Sequence, residues 1–187
     1  MLDNPSVIIF ASISGLLILT KLILMLRAEY KTDKIVDDIE ESYPDSNFDV
    51  NCDTVKIENA FGKVTFFSSD HKIGSCSQNI QIGNKEYKIT DRDYSKILSD
   101  SGEIVATSKE NLEQKYIVSI SFGLKGFLLK SLNYGDYPYG VYRDEKGIGI
   151  IRLDEMVFPR DIPVEVQIFS YKVAFELYNE MKRKSAT

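Results

Sequence analysis

The sequence predicts a mainly β (β+α) fold, in which an N-terminal transmembrane helix precedes an antiparallel β-barrel of about 10–12 short strands around a C-terminal hydrophobic helix. Three features predict it: an unbroken apolar run near the N-terminus, short runs separated by turn residues in the middle, and a C-terminal stretch that is apolar on nearly every side of a helix. We divide the chain into a tail and span at 1–27, a helical stalk at 28–46, and a barrel domain at 47–187 with its helix at 162–184.

Residues 6–26, SVIIFASISGLLILTKLILML, contain one charged residue, Lys21. A helix of this length is about 30 Å long, which matches the hydrocarbon thickness of a bilayer. A cleaved signal peptide fits less well because no basic segment precedes the run and no small-residue cleavage site follows it. A buried helix of a soluble domain is the other alternative. The predicted membrane-anchor side chains are Val7, Ile9, Phe10, Leu16, Leu17, Leu19, Leu22, Leu24 and Leu26.

The basic residues near the span predict its orientation. Arg27, Lys31 and Lys34 follow the span, whereas no basic side chain precedes it. The positive-inside rule then predicts a single-pass protein of the cell membrane, with its N-terminus outside and its barrel in the cytoplasm. Two cysteines, Cys52 and Cys76, agree with a reducing compartment as thiols, but outside the cell they could form a disulfide.

Composition argues against a nucleic-acid partner. The 187 residues are 43% hydrophobic and 11% aromatic, and they carry 23 basic and 28 acidic groups for a net charge of -5. Residues 35–187 carry 19 basic and 25 acidic groups, a net charge of -6. A body this acidic has no broad attraction for nucleic acid or anionic headgroups. The predicted partners are the lipid bilayer and a membrane protein.

Short strands account for the middle of the chain. Eleven candidate strands lie between Thr54 and Leu153, separated by residues that favour turns. Gly83-Asn84 and the DSG of ILSDSGEIV are typical of tight hairpins. Strands at this spacing without long helices between them indicate antiparallel pairing in a barrel or sandwich. The SKENLEQK segment at 108–115 is the exception, and we expect a helical turn there.

The stretch from Asp161 to Lys184 allows two interpretations. Alternation at residues 164–168 resembles a strand, whereas Asp161 as an N-cap with Pro163 in the first turn predicts a helix from Ile162 to about Arg183. The helix gathers its polar residues into one narrow arc and leaves the rest apolar, so it must be buried nearly all round. Only an enclosing sheet could cover such a helix. Its predicted core side chains are Ile162, Val166, Phe169, Val173 and Leu177.

The C-terminal part of the chain resembles a known superfamily. Phe158-Pro159, then Asp161 and an apolar helix, is similar to the closing segment of phospholipid scramblases, and YGVYRDEKGIGIIR at 139–152 looks like a repeated hairpin of the superfamily of tubby C-terminal domains, scramblases and LURP-one proteins. The resemblance implies a barrel around a central hydrophobic helix. It carries over no site, because neither the phosphoinositide-binding residues of tubby domains nor the calcium-binding residues proposed for scramblases match positions here.

No residue pattern predicts catalysis, a metal or a cofactor. His71 is the only histidine, it falls in a predicted turn, and a histidine-based triad would have to use it. The GIGI at 147–150 lies in a predicted strand without a following helix, so it is not a dinucleotide loop. The acidic clusters DDIEES and DRD lack calcium-loop spacing, and the expected reading is a solvated face.

A tyrosine-rich segment, NYGDYPYGVY, is a candidate partner loop. Its candidate contact residues are Tyr134, Tyr137 and Tyr139, since exposed aromatic rings often make interface contacts. A structured crossover between strands is the alternative interpretation of the same segment.

These features predict a membrane-tethered, non-enzymatic binding module at the cytoplasmic face, binding a membrane protein partner or a lipid headgroup. An immunity-type protein or accessory subunit of a membrane assembly, facing outward, is the alternative. An enzyme or a scramblase would follow only from family analogy.

Overall fold

The computed structural model describes residues 51–60, 62–111, 116–133, 136–144 and 146–186. Within them the fold is a closed antiparallel barrel of twelve strands with one C-terminal helix, which confirms the predicted mainly β class. The elements are β1 (Cys52–Ala60), β2 (Lys63–Ser68), β3 (His71–Cys76), β4 (Ile80–Ile82), β5 (Lys85–Arg92), β6 (Ser95–Asp100), β7 (Glu103–Glu110), β8 (Ile117–Phe122), β9 (Lys125–Asn133), β10 (Asp136–Arg143), β11 (Lys146–Ile151), β12 (Glu155–Pro159) and α1 (Val164–Ser185).

The predicted span with its nine anchor side chains, and the stalk, lie outside the described residues. In the part of the chain that is described, no helix combines the length and the hydrophobicity needed to cross a bilayer.

Each strand pairs with the next one in the chain, and β1 pairs with β12 to close the ring. The predicted hairpins form: Gly83-Asn84 connects β4 to β5, and Ser101-Gly102 connects β6 to β7. Ser101 and Gly102 have φ of 51° and 91°, which suits the right-handed twist of a two-residue hairpin. Local turn chemistry therefore accounts for these two hairpins.

The sequence did not predict strand β12, although this strand closes the barrel. It pairs with β1 from Cys52↔Pro159 to Lys56↔Glu155, and with β11 through two residue pairs. Met156, Val157 and Phe158 are all buried, so the strand has no polar alternation to reveal it. The predicted strands end at Leu153, so the prediction misses β12.

The expected helical turn at 108–115 is also wrong where it is described, because Ser108 to Glu110 belong to β7. Residues 112–115 lie outside the described part of the chain. The hydroxyl of Ser108 accepts a hydrogen bond from the backbone N–H of Lys96 at 3.1 Å, which ties it to the neighbouring strand β6.

Helix α1 begins at Val164, two residues later than predicted. Pro163 is its N-cap, with no side-chain cap, and its carbonyl accepts the N–H of Val166 at 3.0 Å. Asp161 does not cap the helix, because its carboxylate lies 2.9 Å from Arg143 Nη1 and 3.3 Å from Lys125 Nζ. These cations come from neighbouring strands, so the sequence around Asp161 could not reveal them.

The middle of α1 is buried on nearly every side. Residues 166–174 are all buried except Lys172, and the predicted core residue Phe169 is completely buried. Ile162, Val166 and Val173 are also buried, although Ile162 lies just before the helix.

Towards its C-terminal end the helix is less buried. Leu177 is only half-buried, and the helix becomes exposed towards its C-terminal end.

Strands from several parts of the ring contact the helix. Phe66 of β2 packs edge-on against Tyr171 with ring centroids 5.3 Å apart, and Tyr137 of β10 lies 6.5 Å from the same ring. A Cβ added to Gly74 of β3 would lie 2.8 Å from Ile168 Cδ1. The helix therefore occupies the interior of the barrel.

Antiparallel order fixes the two ends of the barrel. We call one end of the barrel the base, because β1 begins there, β12 ends there and helix α1 enters the barrel there. We call the opposite end the rim. Turns β5–β6, β7–β8, β9–β10 and β11–β12 all lie at the rim. At the rim, Tyr137 packs 5.1 Å from Tyr178, where the helix leaves the barrel.

We expect Phe169→Ala to lower the free energy of unfolding by about 3–5 kcal/mol, because it opens a cavity around a completely buried ring. Urea unfolding of the purified full-length protein in detergent measures this change. Arg183→Ala, on the exposed last turn, is the matched control and should change stability by less than about 0.5 kcal/mol. Equal effects of the two substitutions would contradict the burial of α1.

Candidate functional site

A surface pocket of about 540 Å³ lies at the rim. It is lined by residues 91–96, which are the end of β5, the β5–β6 turn and the start of β6, and by Glu110 at the end of β7. The backbone N–H of Glu110 donates a hydrogen bond to the carbonyl of Tyr94 at 2.9 Å, which holds the two walls together.

The turn holds Tyr94 away from the barrel. Arg92 pairs with Ser95, so Asp93 and Tyr94 are the two turn residues. Tyr94 has φ of 50°, a conformation that bulky residues seldom adopt, and its side chain is 63% exposed. Ser95 Oγ donates to the Arg92 carbonyl at 3.0 Å and closes the turn. The pocket therefore has an exposed aromatic ring at its edge.

Lys96 connects the pocket to the helix. Its Nζ lies 2.7 Å from Asp91 Oδ1 and 2.7 Å from Glu176 Oε2, and the other Glu176 oxygen lies 2.9 Å from Lys172 Nζ. Partial burial of Lys96 favours the neutral amine, but the two carboxylates outweigh it and raise the pKa of Lys96 above its ordinary value. The network fixes helix α1 to the wall where the helix leaves the barrel.

The pocket has an excess of negative charge. Its lining carries Asp91, Asp93 and Glu110 against Arg92 and Lys96, and Lys96 is shared with a further carboxylate of the helix. Carboxylates beside an exposed aromatic face suit a cationic side chain, by ion pairing and by cation–π attraction. The lining of the pocket is therefore chemically suited to a basic group rather than an acidic one.

The two cysteines are not bonded to each other, and Cys76 does not suit thiolate chemistry. Cys52 and Cys76 are thiols, not a disulfide. Burial raises the pKa of Cys76 to about 11, against the opposing effect of Lys172. Cys76 is therefore protonated at neutral pH, and its sulfur packs in the core.

The remaining residues singled out in the sequence lie apart from the pocket. His71 is exposed and begins β3, next to the turn Ser69-Asp70, and the GIGI at 147–150 lies in β11. In the described ranges, no three His, Cys, Asp or Glu side chains are grouped so that they could hold a metal ion.

The three tyrosines of the candidate partner loop are placed differently. Tyr134 lies outside the described residues, whereas Tyr137 and Tyr139 belong to strand β10 rather than to a loop. Tyr139 is completely buried, so its ring is not accessible to a partner. Burial raises the pKa of Tyr137, and raises that of Tyr171 to about 12, so both are neutral phenols packed in one aromatic cluster.

Sequence reasoning missed Tyr94 and Glu110. The sequence predicts a solvated acidic face for the DRD before Tyr94, and the pocket forms only because strand register brings Glu110 beside the turn. A large aromatic residue in a two-residue hairpin turn was the one available signal.

Comparison of the chain with protein-family models, curated proteins and solved structures gave no match. The resemblance to the tubby, scramblase and LURP-one superfamily therefore stays a prediction.

We expect Lys96→Met to lower the free energy of unfolding by about 1–3 kcal/mol at pH 7, because it removes charge-assisted hydrogen bonds to two carboxylates. The pKa of Lys96 is higher in the folded state, so this contribution is fully present below the ordinary pKa of 10.5 and is lost as pH rises through the folded-state pKa. Urea unfolding at pH 7, 9 and 11 should show that wild type and variant differ less in free energy of unfolding at pH 11 than at pH 7.

Lys88→Met is the matched control, since Lys88 is exposed on the adjacent strand β5. It should change stability little at any of the three pH values. If the difference in free energy of unfolding between wild type and Lys96→Met stays constant or grows above pH 10.5, the ion pairs do not stabilise the fold.

Proposed function

We propose that the protein is a non-enzymatic binding module, tethered by one N-terminal transmembrane span, whose barrel lies at the cytoplasmic face and binds a protein partner in the same membrane. The observation that carries the proposal is that the barrel interior is filled by its own helix. Many barrels hold a ligand inside, but here that space is occupied by α1. Binding is therefore assigned to the outer surface and the ends.

The tether and its orientation rest on the sequence. Residues 6–26 have the length and hydrophobicity of a span, and the three basic residues that follow it favour a cytoplasmic barrel. The barrel around a hydrophobic helix also has the architecture that the family resemblance implies, which supports a binding role without assigning a ligand.

The rim pocket is the best candidate for the partner contact. Tyr94 offers an exposed ring, and Asp93 and Glu110 offer carboxylates for a basic side chain of the partner. Tyrosine and arginine are enriched at interface hot spots. An anionic lipid headgroup fits this pocket less well, because the pocket and the body of the chain are both acidic.

Cysteine labelling in intact cells tests the tether and its orientation. In a Cys52→Ser background, Asp3→Cys should react with a membrane-impermeant maleimide in intact cells, whereas Glu103→Cys, exposed at the start of β7, should react only after permeabilisation. Buried Cys76 should stay unlabelled in both. The reverse pattern would reject a cytoplasmic barrel and favour the outward-facing accessory subunit.

Photo-cross-linking tests the partner contact. A benzophenone amino acid at Tyr94 should form an adduct with a membrane protein in cells, whereas the same group at Leu153, an exposed apolar residue elsewhere at the rim, should not. Asp93→Asn with Glu110→Gln should reduce the adduct about tenfold, since we expect the loss of both carboxylates together to weaken binding by about 1.4 kcal/mol. Equal adducts at both positions, or none at Tyr94, would reject the pocket as the contact.

A further inference from the structure

The β8–β9 turn carries a fully exposed leucine at the base of the barrel. Phe122 pairs with Lys125, so Gly123 and Leu124 are the two turn residues. Gly123 has φ of 54°, and a glycine at this first position is what a two-residue turn of this kind needs. The second position makes no demand for an apolar residue, yet the side chain of Leu124 is fully exposed there. The turn itself therefore does not account for the leucine.

A bulge turns a second apolar side chain outward at the start of β7. Leu98 of β6 pairs with Ala106 of β7, and both residues belong to the core. The next pair, Ser99 and Ile104, skips Val105, which is therefore a bulge residue. In a regular strand Ile104 would face inward like Ala106, but the bulge puts it on the outer face, where it is 65% exposed.

These two side chains lie at the same level of neighbouring strands. Thr107 of β7 pairs with Ser121 of β8, and Ile104 and Leu124 each lie three residues beyond that pair towards the base. Neighbouring strands are about 4.8 Å apart, so the two side chains are close enough to form one apolar surface. We call Ile104 and Leu124 the base patch.

Charged groups near the base patch are paired with one another. Lys125 Nζ lies 3.3 Å from Asp161, whose carboxylate also lies 2.9 Å from Arg143 Nη1. Lys85 Nζ lies 3.4 Å from Asp100, just before the β6–β7 turn. Paired charges cancel one another's field within a short distance. The base patch therefore presents its apolar surface rather than a field that selects a strongly charged partner.

The chain enters the barrel at the base. The carbonyl of Asn51, just before β1, accepts the N–H of Arg160 at 2.9 Å, just after β12. Residues 27–50 connect this point to the predicted span at 6–26. A helix of that length is about 36 Å long, and a flexible chain of that length spans about 27 Å on average. The proposed tether is therefore attached at the base and keeps the base patch at a high effective concentration near the bilayer.

We propose that the base patch is a contact with the bilayer, in which Leu124 and Ile104 insert between the headgroups of zwitterionic lipids in the membrane that holds the tether. Two apolar side chains bind a membrane too weakly to recruit a free protein. The tether already supplies recruitment, so the contact instead orients the barrel and turns the rim pocket away from the bilayer. This inference rests on the proposed function, because it needs the tether.

Fluorescence quenching tests the proposal on the full-length chain reconstituted in phosphatidylcholine vesicles. A nitrobenzoxadiazole probe is attached at Leu124→Cys or, as the matched control, at Leu153→Cys, an exposed leucine at the rim. Both variants carry Cys52→Ser, and buried Cys76 stays unlabelled. A lipid with a nitroxide on its headgroup should quench the probe at position 124 at least threefold more than the probe at position 153. Addition of phosphatidylserine should not increase the difference.

The substitution Ile104→Asp tests whether the two residues act together. It should reduce quenching at position 124 at least twofold and leave quenching at position 153 unchanged. Because Ile104 is exposed on the outer face, the substitution should leave the fold intact.

Flotation of the same vesicles separates a failure of the tether from a failure of the contact. A chain that does not float with the vesicles rejects the tether and this inference together. A chain that floats, but shows equal quenching at the two positions or no response to Ile104→Asp, overturns the inference and leaves the tether standing. A probe emission shift at position 124 that disappears when the protein is diluted tenfold in the same lipid would identify a second copy of the chain as the occupant, which also overturns the inference.

Discussion

The packing of helix α1 against the inner wall is the interaction on which the barrel depends. Twelve strands enclose more space than their inward side chains can fill, so the wall needs a central element. The helix meets this need with a section that is buried on nearly every side. Two polar side chains of that section bond within the helix and its approach: Gln167 donates to the Ile162 carbonyl at 2.8 Å and Ser170 to the Val166 carbonyl at 2.7 Å. A third, the Tyr171 hydroxyl, donates to the carbonyl of Leu153 at 3.2 Å.

The same packing determines where chemistry can occur. An interior filled by the protein's own side chains leaves the ends and the outer face for recognition. At the rim, Lys96 holds Glu176 where the helix leaves the core, so the pocket beside Tyr94 is built on a rigid wall.

Local sequence signals predicted much of the fold. Gly83-Asn84 was recognisable because a two-residue turn depends on its own residues, and α1 was recognisable because its apolar residues surround the helix axis. Strand β12 was not recognisable, since a strand buried on both faces lacks alternation. The ion pairs of Asp161 and the pocket beside Tyr94 depend on residues brought together by register, as with Lys125, which is 36 positions away from Asp161. The tether and its orientation remain predictions.

Closure of the wall by β12 has a consequence for how the chain is made. Strand β12, which closes the ring, and helix α1, which fills it, are the last described elements to be synthesised. β1 can form its pairs with β12, such as Cys52↔Pro159, only after β12 has been made. Until β12 has been made, β1 and β11 lack the strand that pairs with both of them. Such nascent intermediates are prone to aggregate. The closed ring therefore requires that the edges of β1 and β11 be protected during synthesis until β12 is available to pair with them.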